Sequence, residues 1–88
     1  MKTTVALVDD HELLRSGLAA IINSFGEFEV VLEAGNGLEF IKKVKAITPP
    51  DIVLLDIEMP GHSGLELLDF FDENEVSFSI IFTTAYNE

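Results

Sequence analysis

The 88-residue chain has no cysteine and no tryptophan. Without cysteine there is no disulfide framework and no thiolate metal site. No apolar run reaches the roughly 18 residues that a membrane span needs. "MKTTVALVDD" meets two aspartates too early for a secretory leader. Basic residues are scarce: there are five Lys and Arg, all at or before Lys45. With sixteen acids the formal net charge is −11. Such a chain repels phosphate backbones, which argues against direct nucleic-acid binding. These absences fit a cytoplasmic protein that does not touch the membrane.

Hydrophobic residues make up 48% of the chain, which argues for a packed core. At this length a domain buries only about 60–65% of its unfolded surface. "TTVALVD" (Thr3 to Asp9) is short, apolar and β-branched, and reads as a buried strand. "HELLRSGLAAIINSF" places Leu14, Leu18, Ile21, Ile22 and Phe25 on one helical stripe, which Gly26 ends. "FEVVLEA" (Phe28 to Ala34) is a second strand. Asn36 and Glu39 form a capping box for "LEFIKKVKAI", with Leu38, Ile41, Val44 and Ile47 on one side. Pro49 and Pro50 stop that helix. "DIVLLD" is a third strand. Ser63 and Glu66 cap "LELLDFFDE", in which at least one of Phe70 and Phe71 belongs to the core. "FSIIFTT" (Phe78 to Thr84) is a fourth strand. This β-α-β-α-β-α-β order implies a parallel sheet with helices on both faces.

In such a sheet, ligands sit beyond the carboxyl ends of the strands. The first strand ends in Asp9 and Asp10, the third in Asp56, the fourth in Thr83 and Thr84. If the first and third strands are neighbours, three carboxylates converge. Converging carboxylates repel unless a cation joins them. Hard oxygen ligands suit Mg2+. Metal, carboxylate nucleophile and hydroxyl together suit phosphoryl transfer. A plain helix-capping role competes for Asp10 and, less well, for Asp56. Thr84 alone reads as an ordinary strand residue.

"LVDDHELLRSGL", "DIVLLDIEMPGHSGLELL" and "IIFTTA" together resemble the receiver domain of bacterial two-component response regulators, over essentially the whole chain. The resemblance implies a flavodoxin-like doubly wound sheet, ordered 2-1-3-4-5 when complete. It implies a phosphoacceptor switch, not a turnover enzyme, that takes a phosphoryl group from a sensor histidine kinase with Mg2+. Asp56 would be the acceptor. Asp10 would hold the metal directly and Asp9 through water, joined by the backbone carbonyl of Glu58. Thr84 would be the switch hydroxyl, with Ala85 and Tyr86 beside it. Hard-oxygen chemistry and the resemblance favour a partly exposed first-turn His11 over a ligand. His62 reads as a loop residue.

The resemblance also implies elements beyond Glu88: a helix, a fifth strand ending in lysine, and a last helix. Residues 1–88 would then be the N-terminal part of one receiver domain, ordered 2-1-3-4. "FSIIFTT" would be an unguarded edge strand, and the isolated chain is expected to form a homodimer or a strand-swapped dimer, to aggregate or to be partly molten. DNA would be reached only through a separate output domain that controls transcription. Three alternatives remain: a receiver fold with silent chemistry, a phosphatase-like enzyme, and a flavin binder. The second is weakened because "DIE" supplies Glu58 where Asp is wanted. The third is weakened because the first loop lacks a phosphate-cradling run.

Overall fold

Alternation of the apolar run "TTVALV" between two faces sets the architecture. Ala6 and Val8 point to one apolar cluster and Val5 and Leu7 to another. A strand buried on both faces must lie inside a sheet. The computed structural model describes residues 1–56, Leu67, Asp69, Phe71, Asp72 and 78–83. In chain order the elements are β1 (Thr3–Val8), α1 (Glu12–Ser24), β2 (Phe28–Ala34), α2 (Gly37–Val44), β3 (Ile52–Asp56) and β4 (Ser79–Thr83). Leu67, Asp69, Phe71 and Asp72 are helical, within the third helix that the sequence predicts. Its expected cap, Ser63 and Glu66, and Phe70 lie outside the described residues.

The sheet is ordered β2-β1-β3-β4, and all three pairings are parallel. This is the doubly wound order expected from the sequence. One face carries Phe40, Val44, Leu67 and Phe71 against Ala6, Val8, Val53 and Leu55. Phe40, Phe71 and Phe78 meet edge to face, with ring centroids 5.1–6.2 Å apart. Each such pair contributes about 0.5–1.5 kcal/mol beyond area burial. The other face packs Ala19 and Ile22 of α1 on Val5, Leu7 and Leu54.

Two helix faces differ from expectation. On α1 the residue buried is Ala19, while Leu14, Leu18, Ile21 and Phe25 are exposed. A small residue lets the helix approach the sheet closely, so the larger stripe turns outward. On α2 the buried residues are Gly37, Phe40 and Val44. Leu38 and Ile47 are exposed. The helix ends at Val44, well before Pro49, so Ile47 never joins its face and proline is not its stop. A Cβ on Gly37 would lie 3.0 Å from Leu67 Cγ, which explains a glycine at this contact. Gly26 has φ 76° just past α1, the expected glycine stop.

Local hydrogen bonds fix where strands and helices begin. Asn36 Oδ1 accepts the Glu39 N–H at 2.8 Å, and Glu39 Oε2 accepts the Gly35 N–H at 3.2 Å. The predicted box is therefore present, with its return bond one residue earlier than usual. Asp51 Oδ2 accepts the Thr4 N–H at 2.9 Å, and Thr4 Oγ1 accepts the Asp51 N–H at 2.9 Å. This clamp pins the register of β1 against β3. Val31 is an extra residue on β2, opposite the Val5–Ala6 step. Among the described residues, no helix is long and apolar enough to cross a membrane.

Candidate acidic site at the carboxyl ends of the strands

Parallel pairing places Val8 beside Leu55. The next residues, Asp9 and Asp56, therefore stand side by side at the strand ends. Asp56 pairs in turn with Thr83 on β4. Asp56 is buried, at 2% exposed. Asp9 and Asp10 lie at the mouth, with side chains 19% and 31% exposed. Ligand-type atoms of Asp9, Asp10, His11 and Asp56 all lie within 4.8 Å of one another. The sheet thus unites three of the predicted site residues. Glu58, Thr84, Ala85, Tyr86 and His62 lie outside the described residues.

Asp9 is held along its whole length. Its N–H donates to Ala34 O at 3.0 Å. Its carbonyl accepts from Arg15 Nη1 at 2.6 Å. Its Oδ1 accepts the His11 N–H at 2.8 Å. Arg15 also pairs with Glu33 through Nε at 3.3 Å, tying α1 to β2 beneath the rim. Asp10 does not cap α1. The N-cap is His11, and it makes no side-chain cap bond. The half-positive helix N-terminus still faces the acidic rim.

The His11 ring is drawn into the cluster. Its Nδ1 lies 2.8 Å from Asp9 Oδ1, 3.2 Å from Asp10 Oδ1 and 3.8 Å from Asp56 Oδ2. The hydrogen bond to Asp9 raises the His11 pKa above its ordinary 6.5, and the charges of Asp10, Asp9 and Asp56 add to that. The ring is 52% exposed, as expected, and sits at the N-cap instead of the first turn. Its reach to all three carboxylates, and the hold of Arg15 on Asp9, are not visible in the sequence. Both residues follow the acidic pair within five positions, which is the signal that was there to read.

Chemically, the rim offers hard oxygen donors from two adjacent strands and one deeply buried carboxylate. Such a set fits a small divalent cation. It also holds one carboxylate, Asp56, that is almost fully shielded from solvent.

The family model for the response regulator receiver domain matches residues 5–88. The chain belongs to that family and is a receiver domain of two-component signalling. It is 39% identical over 84 residues to the nitrate/nitrite response regulator protein NarL of Escherichia coli, covering 96% of this chain and 38% of NarL. A DNA-binding response regulator of the LuxR family from Staphylococcus aureus superposes with TM-score 0.82 at 31% identity, covering 98% of this chain and 71% of that one. TrrA of Thermotoga maritima, crystallised in complex with Mg2+ and BeF, superposes with TM-score 0.80 at 38% identity, covering 99% and 72%. The chain spans a little over a third of the length of NarL.

Proposed function

We propose that Asp56 accepts a phosphoryl group from the phosphohistidine of a sensor kinase. The observation that carries this reading is a buried carboxylate at a strand end, facing two further carboxylates at the rim. An Asp56 carboxylate oxygen attacks phosphorus in line with the leaving imidazole. The P–O bond forms as the P–N bond breaks, and the imidazole nitrogen keeps the electron pair. Asp10 and Asp9, with Asp56 and the backbone carbonyl of Glu58, are the groups that would hold Mg2+. The ion would neutralise the carboxylates and the phosphoryl oxygens together. Arg15 positions Asp9 through its carbonyl. Burial of Asp56 limits the access of water to the acyl phosphate. In this reading the Thr84 hydroxyl turns toward the phosphoryl group and starts the switch.

Residues 1–88 serve here as the N-terminal part of a receiver domain of a cytoplasmic transcription regulator. DNA is contacted through a separate output domain, a reading supported by the DNA-binding LuxR-family relative. The apolar outer stripe of α1 supports a homodimer or strand-swapped dimer of this chain.

Intact-mass measurement after incubation with acetyl phosphate and Mg2+ tests the reading. A hydroxylamine-labile phosphate adduct on the wild type, missing in Asp56→Asn, is the expected result. No adduct in the wild type would favour a receiver fold with silent chemistry.

A further inference from the structure

We infer that His11 competes with the divalent cation for the three carboxylates, and so sets the cation concentration at which the site fills. This rests on the metal reading above. One ring nitrogen lies 2.8, 3.2 and 3.8 Å from one oxygen each of Asp9, Asp10 and Asp56. Its nitrogen and one oxygen from each of the three carboxylates lie within 4.8 Å of one another. A cation bound directly by Asp10 and Asp56, with its water shell against Asp9, would occupy the space between these oxygens. Ring nitrogen and ion cannot share that space.

Two outcomes are open to the ring: to join the ion as a ligand or to leave. Mg2+ is hard, keeps several waters and takes oxygen in preference to imidazole. The contact at 2.8 Å between Nδ1 and Asp9 Oδ1 also uses an oxygen lone pair that a water on the ion would need. Two observations favour departure. The ring is half exposed and makes no side-chain cap bond to α1. The backbone N–H of His11 also donates to Asp9 Oδ1, so that carboxylate stays oriented when the ring swings out. His11 is therefore a specificity-setting residue. It raises the threshold for every divalent cation that prefers oxygen, and less so for ions that accept imidazole nitrogen.

Calorimetric titration with Mg2+ at fixed pH and ionic strength tests this, on the wild type, His11→Ala, His11→Phe and Asp10→Asn. Removing one charge-assisted contact at a partly exposed site should tighten Mg2+ binding roughly threefold to tenfold in both His11 variants. Asp10→Asn should weaken it. In the wild type, the His11 ring resonances should move toward those of a free imidazole as Mg2+ saturates. That readout needs no variant, and it decides the matter if a variant fails to fold. Unchanged or weaker binding in His11→Ala, with Asp10→Asn still weaker than wild type, overturns the competition and leaves the metal reading standing. A ring that does not move at saturation also overturns it. Absence of Mg2+ binding in all four proteins overturns both.

Discussion

Asp9 and Asp56 stand at one level at the ends of adjacent parallel strands because Val8 and Leu55 are register partners. A shift of β3 by one residue would turn Asp56 toward the opposite face. The Thr4–Asp51 clamp at the far end of the same pair guards against that shift.

Relief of repulsion should show as stability. Three carboxylates each place an oxygen within 4.8 Å of the others, and like charges that close repel. Asp56→Asn keeps the shape and removes one charge from the buried end. It should raise the metal-free melting temperature by about 4–8 °C, the shift for 1 kcal/mol in a domain this small. Saturating Mg2+ should raise the wild-type value and leave Asp56→Asn less affected. Differential scanning calorimetry reads both. A lower melting temperature for Asp56→Asn without metal would contradict the repulsion.

The His11 titration has a definite sign. Its folded pKa is raised by the Asp9 hydrogen bond and the neighbouring charges. Its contribution to stability is thus fully present below about 6.5, the unfolded value. It is lost as pH rises through the folded value. NMR titration of the ring should give a midpoint above 6.5, falling back toward it in Asp9→Asn. A midpoint at or below 6.5 in the wild type would contradict the contact.

Phe40 is fully buried and stacks edge to face on both Phe71 and Phe78. Phe40→Ala should cost about 3–5 kcal/mol, much of what a domain this size possesses. Asn36→Ala, which deletes the α2 cap, should cost about 1 kcal/mol. Urea unfolding of the two variants should preserve this order.

Ile22, Phe25, Phe28, Ile52, Leu54 and Ile81 line an apolar groove beside the exposed stripe of α1. The 88-residue chain should self-associate, with a sedimentation coefficient that rises with concentration. Ile21→Glu with Ile81→Lys should move it toward the monomer. A concentration-independent monomer in the wild type would remove the dimer expectation.

The strands were legible because their physics is local. "FEVVLEA" is bounded by Gly26 and Gly35, and β2 spans Phe28–Ala34 as read. The acidic rim was legible because a carboxylate at the end of an apolar run has few structural uses. The helix faces were not. α1 is apolar around much of its circumference, so periodicity does not say whether Ala19 or Leu18 meets the sheet. On α2 the larger Phe40 takes the interior that Leu38 was expected to share. The role of His11 depends on three carboxylates that only the fold brings to one nitrogen.

The strand order also bears on synthesis. β1 leaves the ribosome first and ends in the interior of the sheet, flanked by β2 and β3. Every carboxylate of the acidic trio has been translated once Asp56 is added. The acidic rim therefore needs only the pairing of β3 beside β1, whereas β4 pairs with β3 on the side away from Asp9 and Asp10.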